Sequence, residues 1–239
     1  MQSHPGIYQV TETLQQGKPP VRTILYYQGT RGRTQQGALI TLFLQDKIYQ
    51  LRPTEKIYRS IAVAQLRPGQ APEYSNAKVQ ASSRKGGQRK TIAGEKAQSW
   101  LIQSTALLDM KALAQKAPTE AERRQFPKFL TVKMSVENWL SERDTLAPSV
   151  QYATAALAGS QNPMGQMMQP LLSAASKQHG IPLTTTLRVT FATTPPQKNA
   201  LNGTVVVTTR TLRLEHKSLP DSLFAVPPDY KEVPWDKWQ

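Results

Sequence analysis

The residue types that perform acid–base or nucleophilic chemistry are few in this sequence. It contains three histidines and no cysteine. His4 lies near the N-terminus, His179 at the end of a predicted helix and His216 just after a predicted strand. A histidine acts as a general base only when a second group orients its ring, and no sequence motif supplies one here. The sequence therefore predicts a protein that is not an enzyme.

Metal and cofactor motifs are also missing from the sequence. The lack of cysteine excludes disulfides, cysteine-ligated zinc and cysteine nucleophiles. No pair of histidines has the spacing of a zinc site, and no loop resembles a calcium-binding motif. No glycine-rich loop is predicted to hold a phosphate group. We therefore expect no metal and no cofactor.

The positive charge of the chain is its strongest compositional feature. There are 30 Lys and Arg residues against 16 Asp and Glu, which gives a formal net charge of +14. Residues 78–90 contain no acidic residue, and their candidates for contact with an anionic group are Arg84, Lys85, Arg89 and Lys90. Aromatic residues that could stack on bases are not interleaved there, so no specific nucleic acid is predicted. Either these cations bind anionic lipid or polymer, or they form a solvated loop.

A methionine-rich helical stripe is the best candidate for binding an apolar ligand. In residues 148–180, apolar residues follow the spacing of one helix face, and the stripe consists of Met164, Met167, Met168, Leu171 and Leu172. Methionine is flexible and suits surfaces that accept varied apolar partners. Trp100 and Trp139 are candidates for the same cavity. The alternative is that the stripe and both tryptophans are ordinary core.

The strands predicted for most of the chain must hold the candidate cations and apolar residues in place. Residues 6–61 contain short apolar or alternating runs separated by turn signals, which predicts an antiparallel meander. Residues 67–90 have the composition of a loop, either a mobile loop or a polar crossover between strands. Residues 105–126 are predicted as a helical insertion, with Thr105 capping its first helix and a second helix starting near Thr119. Strands are predicted again at 128–140, 183–191 and 203–215, and Leu223, Phe224 and Val226 should anchor the C-terminal tail in the core.

The order of several motifs resembles a family of exported bacterial proteins of unknown function. The motifs are YYQGTRGRT at 26–34, IYQLRPTEKIY at 48–58, IAGEKAQSW at 92–100, VENWL at 136–140, GIPL at 180–183 and LFAVPPDY at 223–230. That family is similar to the periplasmic lipoprotein carriers and outer-membrane receptors of the Lol pathway. This chain differs in its longer 67–90 and 105–126 segments, and in having Asp229 where a glycine is usual.

The resemblance implies a fold and a location but no activity. It implies one mainly β (α+β) domain over residues 1–239, in which a strongly curved antiparallel sheet forms an unclosed barrel and helices cover its concave face. It also implies export to the periplasm or outer membrane, although residues 1–5 do not form a signal peptide. We expect a non-enzymatic envelope protein that binds a lipid, an acyl chain or another apolar ligand in the concave face. The alternative is an adaptor or sensor that binds another envelope protein or an anionic polymer through its basic loops.

Overall fold

The computed structural model describes residues 2–65, 78–144, 178, 180–196 and 202–234. Most of these residues form strands. The strands are β1 Ser3–Gln15, β2 Val21–Gln28, β3 Arg31–Gln36, β4 Leu39–Leu44, β5 Lys47–Arg52, β6 Ile57–Ala62, β7 Lys78–Ile92, β8 Glu95–Asp109, β9 Phe129–Ser141, β10 Pro182–Thr194, β11 Gly203–Pro220 and β12 Lys231–Glu232. Two α-helices, α1 Lys111–Gln115 and α2 Glu120–Gln125, and two 3₁₀ turns, Val63–Gln65 and Asp221–Phe224, complete the described elements.

All twelve strands belong to one sheet, in the order β12-β6-β5-β4-β3-β2-β1-β11-β10-β9-β8-β7. Strands β1 to β6 form one antiparallel meander and β7 to β11 a second one. The long β1–β11 ladder joins the two meanders, and only β12 runs parallel to its neighbour, β6. Within the described residues β12 and β7 are the two ends of this order, so the sheet is not closed.

The predicted meander and the mainly β class are confirmed. The predicted helical cover of a concave face is not confirmed, because the helices in the described ranges have only five and six residues. The predicted lid, residues 148–180, lies outside the described residues except for Gln178 and Gly180. Among the described helices none is long and apolar enough to cross a membrane.

The prediction of a loop over residues 67–90 is wrong from residue 78 onward. Residues 78–92 form β7, which pairs only with β8 and ends the described sheet. Most of its side chains are exposed, so this strand forms without a row of apolar side chains buried in a core. Gly86 and Gly87, which favoured a loop in the sequence, instead lie where the ladder register shifts between Lys85 and Arg89.

The prediction that Thr105 caps a helix is also wrong. Strand β8 continues to Asp109, and α1 begins at Lys111. Beyond Ile102 the side chains of β8 alternate strictly between buried and exposed, as in a strand with one buried face. Backbone pairing with β9 continues to Asp109 and stabilises the strand over a helix in this segment. The second helix was predicted correctly: Thr119 caps α2, and Glu122 completes a capping box.

The described residues form apolar core clusters in separate parts of the sheet. One cluster joins β8 and β9 and contains Ile102, Ala106, Leu108, Met110, Leu130, Val132 and Met134. Another contains Ile40, Leu42 and Leu51, and Val226 and Tyr230 of the C-terminal tail pack against it. A smaller cluster consists of Ala97, Trp139 and Leu183. Of the three predicted tail anchors, Phe224 is buried, while Leu223 and Val226 are half-buried.

Charged groups fasten the tail to the first meander. The Arg31 guanidinium donates to the Asp221 carboxylate at 2.6 Å, and Arg33 donates to the Leu223 carbonyl at 3.0 Å. Asp229 lies 3.0 Å from the Lys56 ammonium. The hydrogen bond from Lys56 lowers the pKa of the Asp229 carboxyl. Asp229 therefore gives the tail an additional contact with the first meander.

Candidate ligand-binding site

The bulge in β7 creates the candidate site. Regular pairing with β8 stops after Lys85 and resumes at Arg89. The Gln98 side chain of β8 donates to the carbonyl oxygens of Gly86 at 2.5 Å and Gln88 at 2.9 Å. The Ser99 hydroxyl also donates to the Gln88 carbonyl, at 3.2 Å. These bonds satisfy carbonyl groups that leave the ladder, so the bulge has a defined shape.

Gly86 is required at this position because the two strands approach closely. A Cβ atom at residue 86 would lie 2.1 Å from the Ser99 hydroxyl oxygen. A Cβ atom at Gly87 would meet nothing within 4 Å. Only the first glycine of the pair is therefore needed for packing.

Two adjoining cavities flank the bulge and share Lys85 and Trp100. The first has a volume of about 450 Å³ and is lined by Arg84, Lys85, Gly86, Gly87, Gln88, Ser99, Trp100, Leu101 and Glu137. The second, of about 390 Å³, is lined by Lys85, Arg89, Gln98, Trp100, Leu140, Ser141 and Glu142. Volumes of about 300–1,000 Å³ are usual for small-molecule sites. Each cavity is large enough for such a ligand.

Trp100 lies in both cavities and on the face of β8 that carries buried core residues. It is half-buried and lies opposite Lys85 on β7 and Asn138 on β9. Successive side chains of a strand alternate between faces, so Trp100 shares its face of β8 with Ile102 and Ala106, both of which are buried. An apolar group resting on Trp100 would thus lie at one end of an apolar wall.

The four predicted cations occupy different environments. Arg84 and Lys85 are partly or fully exposed, line the first cavity and form no ion pair within the described part of the chain. Arg89 forms a 2.8 Å ion pair with Glu142. The Lys90 ammonium lies 3.7 Å from the centre of the Trp139 ring, a cation–π contact. Arg84 and Lys85 are therefore the two cations best placed to meet an anionic group.

The other predicted site residues are not gathered around these cavities. Trp139 is buried beside Ala97 and Leu183, and its indole N–H donates to the Glu137 carboxylate at 2.9 Å. It lines neither cavity at the bulge. Met164, Met167, Met168, Leu171 and Leu172 lie outside the described residues, so their role stays a prediction.

Sequence reasoning missed the residues that shape the site: Gly86, Gln98, Ser99 and Glu137. Glu137 carries a negative charge in the first cavity, which partly offsets Arg84 and Lys85. A glycine pair inside a basic, polar run was the available signal for a bulge. It was interpreted as a loop because no apolar residues flank it.

Buried polar groups interrupt the apolar wall near Trp100. The Asn138 side chain donates to the side-chain oxygen Oε1 of Gln178 at 2.8 Å and accepts from the Thr185 hydroxyl at 2.9 Å. The Gln178 amide nitrogen and the Ser104 hydroxyl are buried and have no hydrogen-bond partner among the described residues. Such groups are uncommon in folded proteins and could contact a polar group of a ligand.

Replacing Ser104 by alanine is expected to keep or raise the free energy of unfolding, by up to about 1 kcal/mol. An unsatisfied buried hydroxyl costs roughly 1–3 kcal/mol, and part of that cost is removed with the hydroxyl. Ser99→Ala on the same strand should instead lower the free energy of unfolding by about 1 kcal/mol, because it removes the hydrogen bond to Gln88. Urea denaturation of both variants measures the difference. Equal losses would show that Ser104 has a partner in solution.

Comparison with known proteins gives structural but not sequence similarities. No family model matches the chain, and no curated protein matches it. It is similar to the crystal structure of an uncharacterized conserved protein from Thermus thermophilus, with 10% identity, a TM-score of 0.39 and coverage of 96% of this chain and 89% of the other. It is also similar to a LolA superfamily protein from Nitrosomonas europaea, with 9% identity, a TM-score of 0.28 and coverage of 93% and 90%. Because both TM-scores are low, the description of the fold rests on the sheet itself.

Proposed function

We propose that this protein is a non-enzymatic binding protein of the bacterial envelope, and that it holds an anionic amphiphile at the β7 bulge. The ligand class includes fatty acids and anionic phospholipids. The observation that carries the proposal is that Arg84, Lys85 and Trp100 line one cavity of about 450 Å³. This combination offers cations to a head group and an aromatic surface to an acyl chain.

The two parts of the ligand would contribute to binding in different ways. Burial of the acyl chain against Trp100 supplies affinity of about 25 cal/mol per Å² of apolar area. Contacts from Arg84 and Lys85 to a carboxylate or phosphate are charge-assisted, but both side chains are exposed, so each contact adds about 1 kcal/mol or less. The head group would contact the two cations, and the acyl chain would rest on the Trp100 ring in the same cavity.

The envelope location and the lack of enzymatic activity are carried over from the sequence. The ordered motifs from residue 26 to residue 230 resemble exported proteins related to the Lol carriers. The Met164–Leu172 segment remains our predicted cover for the acyl chain. This cover would exclude water from the chain without taking part in any reaction.

A second candidate function is an adaptor that binds an anionic polymer or an acidic envelope protein. It is favoured by the position of β7, which is largely exposed, ends the described sheet and carries five basic residues: Lys78, Arg84, Lys85, Arg89 and Lys90. In that function charge alone would attract the partner, and Trp100 would contribute little.

Native mass spectrometry distinguishes a lipid carrier from an unliganded adaptor. Protein purified from a bacterial envelope without harsh detergent is expected to carry an extra mass that extracts into organic solvent as an anionic lipid. Bare protein that is also not stabilised against heat by added fatty acid or anionic phospholipid would contradict the proposed function.

A further inference from the structure

Three side chains of types that bind metals come from distant parts of the sequence and meet near the start of β8. The core cluster of Ile102, Ala106 and Leu108 lies toward the other end of this strand. They are Glu95 at the start of β8, Asp144 just after β9 and His216 on β11. One ligand atom from each lies within 4.8 Å of the other two. The sequence gives no spacing motif for this cluster, because the sheet order alone brings the residues together.

The imidazole of His216 is at the centre of the cluster. Its Nε2 atom lies 2.9 Å and 3.0 Å from the two Asp144 carboxylate oxygens, and its Nδ1 atom lies 3.8 Å from Glu95 Oε1. The side chains of Asp144 and Glu95 are 10% and 15% exposed, whereas His216 lies at the surface with 30% of its side chain exposed. The fold therefore brings two carboxylates, those of Asp144 and Glu95, next to His216, and no sequence motif indicated either of them.

Backbone contacts hold the ligand-bearing segments in place. The Asp144 amide donates to the Ser141 hydroxyl at 3.1 Å, and the Asp144 carbonyl accepts from the Ile181 amide at 3.2 Å. His216 lies in the β1–β11 ladder opposite Ile7, and Glu95 closes the β7–β8 hairpin opposite Ile92. Three different parts of one sheet thus fix the three side chains.

A cavity of about 510 Å³ opens beside the cluster. Asp144 and His216 are part of its lining, together with Pro5, Gly6, Ile7, Tyr27, Gly29, Arg143, Lys217 and Ser218. A metal ion with three protein ligands keeps a coordination position for water or an added molecule, and this cavity has room for it. The cavity is a separate observation from the contacts within the cluster.

We propose that Glu95, Asp144 and His216 bind one divalent transition-metal ion, of which Zn²⁺ is the simplest probe. An imidazole nitrogen with two carboxylates suits zinc better than the oxygen-preferring Mg²⁺. Zinc lies about 2.0–2.2 Å from such ligands, and the 2.9 Å separation of His216 Nε2 from Asp144 suits two ligands of one ion. Glu95 now lies 3.8 Å from the other ring nitrogen, Nδ1, so its side chain must move toward Nε2 to complete the site. Two ionised carboxylates carry a formal charge of −2, which a divalent cation balances. Arg143 Nη1, 3.8 Å from Glu95, is on a side chain that is 66% exposed and can turn away.

The same side chains could instead form an ion pair in which a protonated His216 bridges the two carboxylates. The two arrangements differ in one measurable respect: only the metal site is stabilised by added zinc. The metal site does not depend on the ligand proposed for the β7 bulge, since none of its residues lines the two cavities there.

Zinc titration of the tag-free full chain tests the proposal. One equivalent of ZnCl₂ is expected to bind and to raise the melting temperature, while MgCl₂ at the same concentration gives a smaller shift. His216→Asn and the isosteric Glu95→Gln should each weaken zinc binding by at least roughly tenfold, measured by competition with a chromophoric chelator. His4→Asn is the matched control, because His4 lies 3.8 Å from a single carboxylate, Asp221, and is 53% exposed.

Two results would overturn the metal site. One is the absence of zinc-dependent stabilisation in the unmodified protein. The other is zinc binding that both His216→Asn and Glu95→Gln retain at full affinity. Circular dichroism of each variant without zinc shows that the sheet is intact, and Glu95→Gln keeps the test valid if His216→Asn does not fold.

Discussion

Gly86→Ala is expected to lower the free energy of unfolding by about 1–3 kcal/mol and to weaken amphiphile binding by at least roughly tenfold. The new Cβ atom would lie 2.1 Å from the Ser99 hydroxyl oxygen, so Ser99 must turn or the strands must separate. Turning Ser99 breaks its 3.2 Å hydrogen bond to Gln88 and changes the shape of the bulge. Urea denaturation measures the first effect and calorimetric titration with a fatty acid the second.

The neighbouring glycine supplies the control for this substitution. Gly87→Ala makes the same chemical change one residue later, where the Cβ atom meets nothing within 4 Å, and should leave the free energy of unfolding unchanged. Gly87 lines the first cavity, so this variant is a control for stability and not for ligand binding. Adding Ser99→Ala to Gly86→Ala removes the closest atom and leaves Ser99 Cβ at 3.1 Å, so it should restore part of the stability. Equal effects of the two glycine substitutions on the free energy of unfolding would contradict the described bulge.

Reversing the charges of Arg84 and Lys85 together is expected to reduce the affinity for an anionic amphiphile by roughly 100-fold or more. Each exposed contact contributes about 1 kcal/mol, and each new carboxylate repels the head group by a similar amount, so the two reversals together cost roughly 3–4 kcal/mol. About 1.4 kcal/mol corresponds to a factor of ten. Because both side chains reach solvent and form no ion pair in the described ranges, the Arg84→Glu/Lys85→Glu variant should unfold like the unmodified protein. Calorimetric titration gives the affinity, and thermal unfolding gives the stability.

A second double variant separates a local site from general attraction by the basic surface. Lys128→Glu/Lys133→Glu changes the net charge by the same amount at exposed positions that line neither cavity at the bulge. We expect it to retain the affinity of the unmodified protein within roughly a factor of two, because exposed charges more than about 10 Å apart are largely screened in 0.1 M salt. Equal losses in the two double variants would favour the adaptor function over the carrier function.

The strands that could be predicted from the sequence are those with a buried face. Strand β9 shows this best: Leu130, Val132 and Met134 alternate with more exposed residues, as their spacing predicts. Strand β7 could not be predicted, because a strand at the end of a sheet pairs with one neighbour only and tolerates a polar composition. The continuation of β8 past Thr105 was missed because Leu107, Leu108 and Met110 fit a helical spacing as well as an alternating one.

Some residues of the candidate site were predictable from the sequence, but their arrangement was not. The sequence indicated Trp100 as a candidate for an apolar ligand and Arg84 and Lys85 as candidates for an anion, but it placed them in separate elements. The register of β7 against β8, which places Lys85 opposite Trp100, joins them. Register depends on pairing between distant residues and on the bulge, and neither has a local signal in the sequence. The same limit explains why the carboxylates around His216 were not predicted.

The β7 bulge is proposed to recognise both the charge and the apolar chain of its ligand. Calorimetric titration with three probes tests this recognition: myristate carries both features, myristyl alcohol carries only the chain, and inorganic polyphosphate carries only the charge. We expect myristate to bind at least roughly tenfold more tightly than the other two, with Trp100→Ala removing the difference. Polyphosphate binding as tight as myristate binding, or no binding of myristate, would contradict the claim.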